Sequence, residues 1–131
     1  MNTEPLVLFS AINSNRLFYL KSCVESFIKC TDDYSNKKIL IIDNASVEIG
    51  TKEYLDEKEK QGIKIIKTHQ RDYSNEFAIA LNTTAEYAFE INASYVIPSQ
   101  ADTQFIAKGK WLHDYIDFYK ANVSSVGCMS L

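Results

Sequence analysis

The chain has 131 residues, a formal net charge of -3, and 46% hydrophobic against 24% charged residues. That is the size of one domain and the composition of a folded globular protein, well away from the signature of disorder. Its lysines (Lys37, Lys38, Lys52, Lys58, Lys60, Lys64 and Lys67) lie scattered among acids, so no nucleic-acid partner is expected, and an anionic ligand would need a metal ion or local dipoles as countercharge.

Met1 to Pro5 contain no basic residue, and the apolar run Leu6 to Ile12 is too short to span a bilayer. A cytoplasmic protein is expected, peripheral to the inner face of a membrane if it meets one at all. Cys23, Cys30 and Cys128 form no Cys-x-x-Cys pair and have only the distant His69 and His113 beside them, which suits reduced, buried thiols and not a zinc site.

In chain order, Leu6 to Ile12 reads as a buried strand, followed by a helix from about Asn15 to Cys30 with Leu17, Leu20, Val24, Phe27 and Ile28 on one face and Asn13 or Ser14 as its cap. Ile39 to Ile42 is a second strand. Thr51 to Lys60 is a charged surface helix closed by Gly62, and Ile63 to Ile66 is a third strand. Phe77, Ala78, Leu81, Ala85, Ala88 and Phe89 mark another helical face, Tyr95 to Ile97 a fourth strand, and Trp111, Leu112, Tyr115, Ile116 and Tyr119 a last helix. Val123 to Met129 reads as a fifth strand. This alternation predicts an α/β fold in three layers, a mostly parallel sheet with helices on both faces, and the order 3-2-1-4 for the first four strands.

Ligands of such sheets bind beyond the carboxyl ends of the strands, where the strand order reverses. That rule selects Ala11 to Arg16, Asp43 to Ser46 and Ser99 to Asp102. Asp43 at the lip of the sheet either accepts an N–H from a base edge or caps its own Asp-Asn-Ala-Ser turn. Asp102, with Gln100 two residues earlier on the same side of an extended backbone, either faces a hard cation or caps a short helix over residues 103–107. The aromatic residues fall mainly on helical apolar faces, which points to core packing.

Four stretches together resemble a known family. Leu6-Val7-Leu8-Phe9-Ser10-Ala11-Ile12-Asn13-Ser14-Asn15-Arg16-Leu17 is similar to the opening of family-2 glycosyltransferases, where a hydrophobic strand runs into a Pro-Thr-Tyr-Asn-Arg type turn. Ile39-Leu40-Ile41-Ile42-Asp43-Asn44-Ala45-Ser46 resembles that family's Val-Val-Asp-Asn-Ala/Gly-Ser turn. Ser74 to Asn82 resembles its Asn-x-Gly-Phe-Ala-x-Ala-x-Asn stretch, and Tyr95 to Asp102 the strand that delivers its Asp-x-Asp motif. The four occur in the family's order and spacing.

The resemblance implies a GT-A fold, the nucleotide-diphospho-sugar transferase architecture, with residues 1–131 forming a single nucleotide-sugar-binding domain that is incomplete at its C-terminal side. It implies that Ala11 and Asn13 line the nucleotide pocket, that Asp43 contacts the base, usually uracil, and that Asn82 lies near the ribose or diphosphate. Gln100 and Asp102 would stand at the donor's metal motif, with Asp102 facing a divalent Mn²⁺ or Mg²⁺ that neutralises the leaving diphosphate. The partners would be a nucleotide-diphosphate sugar and an unspecified glycan, lipid or protein acceptor whose hydroxyl attacks the sugar's anomeric carbon. Departures from the pattern are Gln100 in place of an acid, Glu76 in place of glycine and Leu81 in place of arginine. An acid at position 76 would repel a diphosphate unless it points away.

The family's acceptor half carries its catalytic base, and no residue of this sequence is assigned that role. Truncation would leave an apolar sheet edge and favour a homodimer. Two other readings stand beside the transferase: a binding or interaction module that keeps the shape without catalysis, and a receiver-like domain phosphorylated on Asp43, which the lack of acids at the end of the first strand disfavours.

Overall fold

A strand that reads as an unbroken apolar run belongs at the centre of a sheet, because only a strand covered on both faces can bury every side chain. The computed structural model, which describes residues 4–124, follows that rule. Its elements are β1 (Val7–Asn13), α1 (Leu17–Cys30), β2 (Lys37–Asn44), α2 (Thr51–Lys60), β3 (Lys64–Thr68), α3 (Glu76–Glu90), β4 (Tyr95–Gln100) and α4 (Trp111–Ala121). All of β1 is buried, and it lies between β2 and β4 in a parallel sheet of order β3-β2-β1-β4. β4, whose residues alternate between half-buried and exposed, lies at the edge.

The period of two along the strands divides the core into two layers. Phe9, Ala11 and Ile41 face α1 and α2, packing on Leu20, Val24, Phe27 and Leu55. Leu8, Ile12, Leu40 and Ile42 turn to the other face and meet α3. α4 covers Val7 and Tyr34 through Leu112 and Ile116. Phe9 and Phe27 stack with ring centroids 4.0 Å apart, and Phe105 sets its edge against both. Gly62, at a φ of +92° that side chains rarely adopt, turns the chain out of α2 with its N–H on the Glu59 carbonyl.

Several expectations from the sequence need correction. Val123 and Ser124, the start of the expected fifth strand, belong to the turn after α4, and the rest of that stretch lies outside the described residues. Residues 103–107 form no helix: the Phe105 N–H donates to Ser26 Oγ, and its ring stacks near Trp111, which holds this segment open. α3 seats Ala80, Thr84 and Ala88 on the sheet, while Phe77 and Phe89 are exposed. Small residues win that face because Thr84 Oγ1 comes within 2.8 Å of Ser10 Oγ on β1, too close an approach for large side chains between them. Phe18, Tyr19, Tyr73 and Phe118 are also exposed, so core packing does not account for the aromatic residues as a group.

Neither Asn13 nor Ser14 caps α1. Its cap position is Arg16, without a side-chain cap bond, and the Leu17 N–H is met instead by Glu48 Oε2 at 3.0 Å from the loop after β2. His113 places Nε2 2.6 Å from Glu4 Oε2 and so ties α4 to the N-terminal segment. Glu4 also accepts hydrogen bonds from the Ser35 hydroxyl and N–H. The Ser35 hydroxyl first, and then His113, hold the Glu4 carboxyl down to about 2 from an ordinary 4.5.

A carboxyl held low in the folded state stabilises the fold above its unfolded pKa, and that contribution is lost as pH falls through the folded value. Glu4→Gln is therefore expected to lower the thermal midpoint at neutral pH, with the gap to the parent closing between pH 4.5 and about 2. Melts followed by circular dichroism across that range check this; a gap unchanged with pH contradicts it.

Candidate functional site

Parallel pairing places Asn13, the last residue of β1, beside Asp43 near the end of β2. Asp43 is 4% exposed, and a carboxylate so buried must find donors. Oδ1 accepts from Asn13 Nδ2 at 2.9 Å and from Ser46 Oγ at 2.6 Å, and Oδ2 accepts from the Ser46 N–H at 3.2 Å. Ala45 makes the turn with a left-handed φ of +50°, a conformation that costs a side-chain-bearing residue about 1 kcal/mol. Asp43 thus caps its own turn and in the same geometry orients Asn13.

The two loops are laced further. Ser14 Oγ donates to the Asn44 carbonyl at 2.7 Å, the Asn15 N–H donates to Ser46 Oγ at 2.8 Å, and Asn15 Oδ1 accepts the N–H groups of Val47 and Glu48. With its amide nitrogen committed to Asp43, Asn13 has its oxygen on the opposite branch. That Oδ1 is buried and has no hydrogen-bond partner among the described residues.

Over the carboxyl ends of β1, β2 and β4 lies a recess of about 360 Å³ whose polar lining is Asn13, Ser14, Arg16, Asn44, Arg71, Glu76 and Gln100. Ile12 and Phe77 supply apolar walls. A larger groove of about 770 Å³ adjoins it, sharing Ile12, Phe77 and Gln100, and runs along the open edge of β4 between α3 and α4. Its lining is mainly hydrocarbon, with Leu81, Ile97 and Tyr119 among it and Ser99, Asp102 and Thr103 as polar groups, whereas both arginines belong to the smaller recess.

The expected site residues divide accordingly. Asn13 and Asp43 meet, and Gln100 reaches the recess. Asp102 stands at the rim, lining the neighbouring groove. Ala11 departs from its expected place: strand alternation turns it toward α1, fully buried in the core beyond reach of the recess. Asn82 likewise departs, since two residues along α3 from the sheet-facing Ala80 carry it to an exposed surface.

Two residues with no assigned role in the sequence complete the site. Arg16 Nη1 pairs with Asp102 Oδ2 at 3.0 Å across an exposed gap. Arg71 grips Glu76 through Nε at 3.0 Å and Nη2 at 2.5 Å, and its guanidinium carbon lies 4.3 Å from the Tyr73 ring centroid. The hydrogen bonds from Arg71 hold the Glu76 carboxyl below its ordinary value. Glu76 is thereby neutralised by a cation in the same recess, which answers the repulsion its sequence position implied. The only hint of Arg71 in the sequence is a basic residue five positions before the first residue of a helix.

The donor set does not fit the divalent cation expected on Asp102. No group of three or more His, Cys, Asp or Glu side chains converges among the described residues, and Asp102, the carboxylate just after β4, already holds a guanidinium. Gln100 adds only a neutral amide. A hard cation accepts amide and water oxygens, but it would have to compete with Arg16 for the one charged oxygen donor beside Gln100.

A parallel sheet in the order β3-β2-β1-β4, helices on both faces and a polar recess at the carboxyl ends are those of a doubly wound α/β fold, and the family and structural likenesses identify it as the GT-A type, nucleotide-diphospho-sugar transferase-like one. The chain belongs to glycosyl transferase family 2, whose sequence model matches residues 12–130. No curated protein matches it. Among solved structures it is similar to S. aureus TarS 1-349, with a TM-score of 0.63 and 15% identity over 90% of this chain and 33% of that one. Crystal structures of TarS 1-349 in complex with UDP and with UDP-GlcNAc match with TM-scores of 0.62 and 0.60, again at 15% identity over 90% of this chain, and over 33% and 32% of theirs. The chain spans about a third of the length of these TarS chains.

Asp43→Asn would turn an amide donor toward groups that are themselves donors. A loss of about 1–3 kcal/mol is expected in urea unfolding, with Ser46→Ala losing less because Asn13 and the backbone N–H remain on the carboxylate. Equal losses would mean that the carboxylate does not organise the rim.

Proposed function

We propose that this chain is the donor-binding part of a glycosyltransferase that takes a nucleotide-diphosphate sugar, a UDP-sugar above others, and passes the sugar to an acceptor hydroxyl. Asn13 carries this reading. A buried carbonyl oxygen without a donor is a standing cost, and here it belongs to a side chain fixed by Asp43 at a recess where ligands of parallel sheets bind. A base with a ring N–H, such as uracil, meets that need once the side chains around the oxygen shift to uncover it, and Ile12 and Phe77 offer the apolar contact its flat faces require. Family membership and the TarS complexes with UDP and UDP-GlcNAc support the same donor class.

In the transfer, the acceptor oxygen bonds to the anomeric carbon as the bond from that carbon to the diphosphate oxygen breaks. The hydroxyl proton is lost to solvent or a base, and the nucleoside diphosphate leaves with the negative charge. The residues at the recess act by holding the nucleotide while charge builds on its diphosphate.

The competing reading, a module that keeps the shape without binding nucleotide, draws on one observation: Asp102 and Glu76 are both neutralised by arginines. Calorimetry with uridine, UDP and UDP-GlcNAc separates the two. Saturable binding of all three is expected, with Asn13→Ala weakening uridine by roughly tenfold, the worth of a buried hydrogen bond. If no uridine compound binds, the module reading stands and the transferase reading falls.

A further inference from the structure

Arg16 and Arg71 both line the recess, arriving from different parts of the chain: Arg16 from the turn before α1, Arg71 from the loop before α3. Each is held by an acid on its own side, Arg16 by Asp102 and Arg71 by Glu76. These contacts do not exhaust them. A guanidinium carries five N–H donors in a planar fork. Arg16 commits one to Asp102, and Arg71 commits two to Glu76 while stacking on Tyr73. Several donors on each therefore stay available, on side chains whose direction the acids already fix.

The chemistry such a pair recognises is a phosphate or diphosphate, which accepts from planar forks in bidentate fashion. Glu76 and Phe77, at the start of the 15-residue α3, line the same recess, and the positive end of a helix dipole adds to the attraction for an anion. Asn13, whose buried Oδ1 has no hydrogen-bond partner among the described residues, lines the same recess. The acids at Asp102 and Glu76, meanwhile, are not grouped in a way that suits a divalent ion.

Resting on the donor-binding function proposed above, we infer that Arg16 and Arg71 together supply the countercharge for the diphosphate of a nucleoside-diphosphate ligand, in place of a divalent cation. Asp102 is then a positioning residue that acts through Arg16 and competes with the ligand for it. Glu76 does the same for Arg71.

The full chain tests this by calorimetry with uridine, UDP and inorganic pyrophosphate, in EDTA and in Mn²⁺. In EDTA, UDP is expected to bind more tightly than uridine, and pyrophosphate to compete with UDP. Arg16→Gln and Arg71→Gln should each weaken UDP by roughly tenfold, the loss expected for a charge-assisted hydrogen bond, and weaken uridine, which has no phosphate, far less. Uridine binding thus reports that each variant is folded. Asp102→Asn is decisive, because a cation site would lose UDP affinity on that change, whereas the arginine pair keeps or gains it. If uridine binds but UDP is no tighter than uridine in EDTA, and Mn²⁺ restores a difference that Asp102→Asn abolishes, the arginine pair is overturned and the donor reading survives. If neither uridine nor UDP binds, the donor reading itself falls and the arginine pair with it.

Discussion

Asp43 ties the ends of β1 and β2 into a single rim, and the rest of the site is arranged around that tie. A carboxylate this deep would be costly in the absence of donors, yet its three hydrogen bonds come from the end of β1 and from the loop after β2. Asn13 is oriented by one of them, and Ser46 is drawn back far enough by the other two to receive the Asn15 N–H. From there the lacing passes through Asn15 to Glu48, and from Glu48 to the first turn of α1. A helix without a cap of its own is thus anchored by the loop that the same aspartate shapes.

The recess combines this rigid polar floor with two charged walls. On a chain with a net charge of -3, an anion is favoured only where positive charge is local and directed. Both arginines meet that condition, and their acids prevent them from sweeping freely through solvent. The Arg16 pair is about half exposed, whereas the Arg71 pair is mostly buried. Screening by water and salt weakens the first more than the second, so Arg71 is the firmer of the two walls.

Much of the architecture was legible from the sequence because it rests on periodicity. Unbroken runs at 6–12 and 39–42 fixed the central strands, and alternation with helical patterns gave the order of the sheet. Asp43 was legible for a related reason: an acid directly after four apolar residues has to lie at the mouth of the sheet. Arg71 was not, since a long side chain in an exposed loop has no period, and its direction depends on an acid that folding brings to it. On α3 the sequence correctly placed Leu81 and Ala88 toward the sheet but wrongly added Phe77 and Phe89, because hydrophobic size pointed to them while close seating selects for smallness. Ala11 was misplaced by one step of the pleat, Asn82 by two residues of helix.

That close seating of α3 reaches the ligand site. The hydroxyls of Ser10 and Thr84, 2.8 Å apart, act as a shim between helix and sheet, with Ala80 and Ala88 on either side leaving nothing to pry the two apart. Phe77, one turn nearer the amino end, overhangs the recess. The width of the opening is consequently gauged by a pair of small side chains inside the protein, and a single added methylene group there would tilt the helix and reshape a mouth it never touches.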